Sequence, residues 1–158
     1  MSPPGRARLP WSRAAAYLWA APVSLAALPV ALLGAATGGR VRLHRGVLEA
    51  GGGLLRPILG RAIPGFAISA ITFGHVVLGT GADALDETRA HERVHVRQYE
   101  RWGALVLPLY LGASILALLR GRSVYAGNVF ERQAEARSGS GATAWRVRSS
   151  AVSERTRP

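Results

Sequence analysis

Hydrophobic and polar positions divide the chain into long blocks, and the first long block is apolar. Residues 14–37 contain 24 consecutive positions without a charged side chain, and Tyr17 and Trp19 lie near the start. A helix of this length measures about 36 Å, which exceeds the roughly 30 Å of bilayer hydrocarbon. Aromatic side chains are common at the membrane interface. The pattern predicts a transmembrane anchor over 14–37, preceded by a basic N-terminal tail over residues 1–13.

The same segment also has features of a secretory signal peptide. A basic stretch precedes it, and Gly34, Ala35 and Ala36 are small residues of the kind found at cleavage sites. The apolar core of a signal peptide normally has only about 7 to 15 residues, so the length favours a retained anchor. Three arginines lie on each side of the segment, so the positive-inside rule gives no orientation.

Short apolar runs separated by glycines follow the anchor. Twelve of the 19 glycines lie from Gly34 to Gly81, and the β-branched and aromatic side chains of residues 68–73 are typical of a strand. We therefore predict a short antiparallel sheet in this region.

A charged segment from Asp83 to Gly103 is predicted to form an amphipathic helix. It holds five of the nine acidic residues and four arginines. His91, His95, Tyr99 and Trp102 recur at spacings of four, four and three residues, which places them along one face of a helix.

Residues 104–119 are again uncharged. As a helix of about 24 Å this stretch is short for a membrane span, and Pro108 and Gly112 interrupt it. We predict a core helix or a shallow re-entrant helix here. Residues 123–137 form a second polar segment that can be helical, and residues 138–158 are predicted to be a disordered tail.

Composition narrows the classes of function. A chain of 158 residues is most simply one domain. All 20 cations of the +11 chain are arginine, which indicates the coding bias of a GC-rich bacterium. A hydrophobic fraction of 49% with 18% charged residues argues against a disordered nucleic-acid-binding protein. Because cysteine is absent, any metal must be held by histidine and carboxylate.

The strongest chemical signal is an H-E-x-x-H sequence, His91-Glu92-Arg93-Val94-His95. Positions i and i+4 of a helix differ by only about 40° in rotation, so the two imidazoles can bind one metal ion. Glu92 lies about 100° from the first ligand, where its carboxylate can take a proton from a water that zinc has made acidic.

Two histidines and a water leave zinc one protein ligand short. The remaining candidates are two histidines and several carboxylates: His44, His75, Glu100, Glu131, Glu135 and Glu154. Glu131 and Glu135 share one face of a helix-capable segment. One of them can complete the zinc site, and the other can accept the N–H of a ligating histidine.

Together the two segments resemble the gluzincin zinc metallopeptidases. Glu131-x-x-Ala134-Glu135 is similar to the E-x-x-A-D pattern of their membrane-associated branch. The resemblance implies that Glu131 is the third zinc ligand and that Glu135 stands where the branch has aspartate. The run from His91 to Gly103 is also similar to a group of small actinobacterial membrane proteins that have not been characterised.

The resemblance implies an α+β fold: a small zincin-like domain over residues 38–137, after the transmembrane helix, with Glu92 as general base. It implies a zinc metallopeptidase of the bacterial cytoplasmic membrane, in contact with membrane lipid and a peptide or protein substrate. The edge strand that pairs with substrate in gluzincins has a possible counterpart in residues 68–78. If residues 104–119 crossed the bilayer, His91 and Glu131 would lie on opposite sides, so either this segment does not cross or the third ligand is elsewhere. Its short length favours the first option.

The alternative is a non-catalytic membrane protein whose arginines bind anionic lipid or a protein partner. Arginines near a membrane surface gain about 1 kcal/mol each from anionic lipid. Nucleic acid is not an expected partner, because no nucleic-acid-binding module accompanies the positive charge.

Overall fold

A computed structural model of the chain describes residues 10–62, 66–139 and 145–147. Helices and strands are mixed along the chain, so the predicted α+β class is confirmed. The elements in order are α1 (Pro10–Ala36), β1 (Arg40–His44), β2 (Val47–Gly51), α2 (Leu55–Arg61), β3 (Phe66–Ile68), β4 (Ala70–Phe73), β5 (Val76–Gly79), α3 (Ala82–Trp102), a 3-10 turn (Gly103–Leu105), α4 (Val106–Leu119), α5 (Val129–Ser138) and β6 (Trp145–Val147).

Four strands form a mixed sheet in the order β1-β2-β5-β4. The pairs β1–β2 and β4–β5 are antiparallel, but β2 and β5 run parallel. The prediction of an antiparallel sheet is therefore wrong for the central pair. Parallel neighbours need a crossover connection, and α2, β3 and β4 provide it here. In this strand order β4 lies at one edge of the sheet and β1 at the other.

Helix α1 packs lengthwise against the rest of the fold. Ala20, Ala27 and Ala31 on one face are buried, and the last two belong to a core cluster shared with the sheet and α2. The hydroxyl of Tyr17 donates a hydrogen bond of 2.7 Å to the carbonyl of Gly46 in the β1–β2 turn. The helix is therefore part of the core, with large apolar side chains exposed on its other faces.

Two helical segments are long and apolar enough to cross a membrane, Arg13–Ala36 and Ala82–Leu119. The second combines α3, the 3-10 turn and α4. Length and composition make both compatible with membrane association. Most of the predicted basic tail over residues 1–13 lies outside the described residues.

Neighbouring alanines of α1 allow a test of this packing, because Ala27 is buried and Ala26 is exposed. We expect Ala27→Leu to lower the free energy of unfolding by about 1–3 kcal/mol, since a larger side chain overfills a packed core. Ala26→Leu should change it by less than about 0.5 kcal/mol. Denaturant unfolding in detergent, followed by circular dichroism, measures both. Equal effects would contradict the docking of α1.

Ion pairs fix the beginning of α3 to the sheet. Glu49 of β2 is buried and accepts hydrogen bonds from Arg42 of β1 and Arg89 of α3, and both arginines also bind Asp86. Burial alone raises the pKa of Glu49, but the hydrogen bonds from Arg89 and Arg42 outweigh it and hold the pKa below its ordinary value. A charged, fully paired carboxylate therefore sets the position of α3.

The chain changes direction at Gly103, where α3 ends. The backbone here has φ of +56°, a region that favours glycine. A side chain at Gly103 would also collide with Trp19 of α1. The close contact brings the start of α4 next to the N-terminal half of α1.

Asn128 connects α5 to α4. Its buried side chain accepts a hydrogen bond from the amide of Phe130, which caps α5. Its amide group donates to the carbonyl of Tyr110 and to the hydroxyl of Ser114, both on α4. Helix α5 also packs against α3, so α4 does not separate the two helices. This arrangement meets the requirement that residues 104–119 leave α3 and α5 together.

The predicted disordered tail over residues 138–158 lies mostly outside the described residues. Within it, β6 pairs in antiparallel fashion with β3 to form a two-stranded sheet.

Candidate metal centre

His91 and His95 lie one turn apart on the buried face of α3, and Glu131 in the first turn of α5 is buried against them. The two Nε2 atoms are 3.1 Å apart. Glu131 Oε2 is 3.1 Å from Nε2 of His91, and its Oε1 is 3.3 Å from Nε2 of His95. Ligand atoms of all three residues lie within 4.8 Å of one another, so the group could hold a metal ion.

The spacing fits a small tetrahedral ion. Metal–ligand bonds of about 2.0–2.1 Å give ligand-to-ligand edges of about 3.3–3.4 Å in a tetrahedron. The two Nε2 atoms, 3.1 Å apart, approach one such edge, and each of them lies 3.1–3.3 Å from a different oxygen of Glu131. Two imidazoles and a carboxylate are also a donor set that zinc uses when its fourth position stays open. Iron or manganese would accept similar ligands.

Gln98 fixes the orientation of His95. Its side-chain oxygen lies 2.8 Å from Nδ1 of His95, and its amide nitrogen donates to Gln133 and to the carbonyl of Phe130 on α5. Because the amide nitrogen is used by two acceptors, the oxygen must face His95. Nδ1 therefore carries the proton of the neutral imidazole, so a metal-bound His95 would use the lone pair of Nε2, which faces the cluster.

Replacement of Gln98 tests this contact. We expect Gln98→Leu to weaken metal binding by about 10–100-fold, the usual effect of removing a partner of a ligating histidine. Gln98→Glu keeps an acceptor for the N–H of His95 and should lose less. Arg97→Leu, at the exposed neighbouring position of α3, should bind as wild type. Competition against a chelator of known affinity measures all four proteins, and unchanged affinity in Gln98→Leu would contradict this role.

The charges of the cluster are mutually dependent. Burial raises the pKa of Glu131, but hydrogen bonds from His91 and His95 reverse the effect and hold the pKa well below its ordinary value. Tyr110 strengthens this by donating a hydrogen bond of 2.7 Å to Oε1. Burial lowers the pKa of His95, but Glu131 and Glu92 raise it overall to about 9. Without metal, a proton on His95 therefore balances Glu131, and metal binding must release that proton.

Glu92 is buried next to the cluster but has a different environment. Its Oε2 accepts a hydrogen bond of 2.6 Å from the hydroxyl of Thr72 on β4. Its Oε1 is buried and has no hydrogen-bond partner in the described part of the chain. Burial raises the pKa of Glu92 more than the nearby His95 and Thr72 lower it. Two buried carboxylates thus have pKa values shifted in opposite directions, a pattern typical of paired acid–base and electrostatic roles.

A cavity of about 380 Å³ lies against the cluster, with Glu92, His95 and Glu131 in its wall. The volume is within the range of about 300–1,000 Å³ of small-molecule sites. β4 and α4 supply much of the rest of the wall. A ligand in this cavity would lie against Glu92 and against two of the three candidate metal-binding residues, His95 and Glu131.

Other candidates from the sequence lie elsewhere. Glu135 is exposed on α5, and the hydrogen bond proposed for it, to the N–H of a ligating histidine, is made to His95 by Gln98. The ring of His75 stacks on that of Tyr17, and its Nε2 lies 3.4 Å from Oε1 of Glu100, so these two candidates contact each other. His44 is on β1. Glu154 lies outside the described residues.

Sequence reasoning missed Gln98, Thr72 and Tyr110. Gln98 had a usable signal, because it follows His91 by seven residues and His95 by three and so shares their face of α3. Thr72 and Tyr110 reach the cluster only through tertiary packing, from β4 and α4.

Compared with protein-family models, curated proteins and solved structures, the chain shows no match in any of the three sets.

Proposed function

We propose that the chain is a membrane-associated, metal-dependent hydrolase, with zinc as the metal and His91, His95 and Glu131 as its ligands. The observation that carries the proposal is the convergence of these three buried residues beside the carboxylate of Glu92, whose Oε1 has no hydrogen-bond partner among the described residues. The H-E-x-x-H sequence and the resemblance to gluzincins support it from a separate direction. Apolar α1 and α4 support the location at a membrane.

Zinc, when bound, supplies Lewis acidity that polarises a carbonyl and lowers the pKa of water. Glu92 then has the role of general base. Its buried carboxylate has a raised pKa, which favours accepting a proton and later returning it to a leaving group. Thr72 holds one carboxylate oxygen, so the other is left free to face the reacting molecule.

Peptide bonds are the first substrates to test. The resemblance to metallopeptidases favours them, and β4 supports the choice because it is both the edge strand of the mixed sheet and part of the cavity wall. An extended peptide can add to a sheet edge through main-chain hydrogen bonds. The sequence places the substrate-pairing strand somewhere within residues 68–78. The proposal assigns that role to β4, residues 70–73.

Metal content tests the proposal directly. Wild-type protein purified in detergent is expected to hold about one zinc per chain, and His91→Ala/His95→Ala is expected to hold none. His44→Ala is the matched control, since His44 lies on β1 outside the cluster. Elemental mass spectrometry of proteins shown to be folded by circular dichroism gives the answer. Equal metal in all three proteins, or none in the wild type, would overturn the proposal in favour of an arginine-rich lipid- or partner-binding protein.

A further inference from the structure

The cavity beside the cluster is largely apolar away from it. Its charged wall residues are members of the candidate site: Glu92, His95 and Glu131. Hydrophobic side chains from β4, α4 and the segment before α5 form much of the remainder, including Ile71, Phe73, Val106, Leu107, Leu111 and Val124. A ligand that fills the cavity must therefore be hydrocarbon for most of its length and polar where it meets the cluster.

Helix α4 forms one wall of this cavity and is itself unusually exposed for an apolar helix. Between residues 105 and 119 many large hydrophobic side chains are exposed: Leu105, Leu107, Leu109, Leu111, Ile115, Leu116, Leu118 and Leu119. An apolar surface of this extent marks a membrane or protein contact. The helix of 14 residues is about 21 Å long, too short to cross a bilayer but long enough to enter one leaflet.

Continuity with α1 favours lipid as the medium around α4. Gly103, just before α4, contacts Trp19 of α1, so two apolar helices meet at this corner of the molecule. α1 is one of the two segments long and apolar enough to enter a membrane. A cavity whose wall is a lipid-facing helix can receive a molecule directly from the bilayer.

We propose that the cavity binds an aliphatic acyl chain supplied by the membrane, with the carbonyl at the head of that chain next to His95 and Glu92. Any reaction on this carbonyl rests on the proposed hydrolase function, whereas binding of the chain does not need the metal. The ligand chemistry is that of a long-chain acyl group. It can come from a free fatty acid or from a phospholipid.

Photolabelling tests the proposal on the full chain in phospholipid nanodiscs. One probe is palmitic acid with a diazirine in the middle of its chain, and the second is phosphatidylcholine carrying the same acyl group. After irradiation, mass spectrometry of peptides maps the labelled residues. We expect labels on Ile71 and Phe73 of β4, reduced by excess palmitate. Labelling by the fatty acid alone identifies a free acid as the source, labelling by the phospholipid alone identifies a phospholipid chain, and labelling by both probes shows that the cavity accepts either source.

Matched variants of α4 separate the cavity from the outer surface. All three leucines Leu107, Leu109 and Leu111 are exposed on α4, but only Leu107 and Leu111 also line the cavity. We expect Leu107→Trp and Leu111→Trp to reduce labelling of β4 by about tenfold, because each overfills the cavity. Leu109→Trp should label as wild type. Circular dichroism confirms that each variant is folded.

Two results would overturn the proposal. One is labelling of Leu109, which is exposed outside the cavity, without labelling of β4, Leu107 or Leu111. The other is competition at β4 by an apolar peptide without an acyl chain but not by palmitate. Metal content measured on the same samples separates the two proposals. Metal retained without labelling of β4 defeats only the acyl-chain inference, and labelling of β4 without metal in the wild type defeats only the hydrolase.

Discussion

A Glu92→Gln protein is expected to keep its metal and to hydrolyse substrate about 10²- to 10⁴-fold more slowly than wild type, the usual contribution of a general base. Glutamine has nearly the shape of glutamate and can keep the hydrogen bond from Thr72. Its neutral amide cannot take up a proton. The loss should therefore fall on the chemical step and leave the three ligands undisturbed.

The measurement combines metal content with hydrolysis of quenched fluorescent peptides and of acyl esters, each assayed with and without chelator. Thr72→Val is the informative companion variant, because it leaves the carboxylate of Glu92 in place without its hydrogen bond. We expect Thr72→Val to retain more activity than Glu92→Gln. Full activity in Glu92→Gln, with normal metal content, would rule out Glu92 as the base.

The second large effect is expected at the third ligand. Glu131→Gln should weaken metal binding by more than the roughly 10–100-fold typical of residues that only support a ligand. The substitution removes the negative charge that faces both histidines at 3.1–3.3 Å. It also leaves Tyr110 without an ionised acceptor. A buried cluster that has lost its charged partner is destabilised, in comparable cases by about 3–5 kcal/mol.

Helix α5 provides the control for this experiment. Glu135 lies one turn after Glu131 but is exposed, so Glu135→Gln should bind metal within about twofold of wild type, as surface substitutions usually change little. Isothermal titration of zinc into metal-free protein, with circular dichroism at the same temperature, measures both variants. Equal weakening in the two variants would return Glu135 to the site as the supporting carboxylate that the sequence suggests.

The sequence identifies the residues of the candidate centre better than it identifies their surroundings. The i, i+4 histidines of an amphipathic helix can be found from periodicity alone, and α3 at Ala82–Trp102 closely follows the predicted segment. The position of Glu131 depends instead on how α5 packs back on α4 and α3. That packing is set by Asn128, whose partners lie 14 and 18 residues away in the chain.

Helix α1 shows what hydropathy alone does not report. A run of apolar residues predicts an anchor because the rule counts hydrophobicity and length, not faces. The buried face of α1 is made of small residues, Ala20, Ala27 and Ala31, and small side chains allow close packing of a helix on its neighbours. The parallel pairing of β2 and β5 was equally hard to foresee, because strand order depends on the path of a connection and not on the residues within the strands.

The positions of the candidate ligands along the chain also affect the unfolded state. His91 and Glu131 are separated by 40 residues, and all of α4 lies between them. A bound ion would therefore act as a cross-link that closes this loop. For a covalent cross-link, closure of a loop of this size lowers the entropy of the unfolded chain and so raises its free energy by about 4 kcal/mol at room temperature. Loss of the ion would release the segment that contains α4 and its exposed leucines, so we expect aggregation to begin from the metal-free protein.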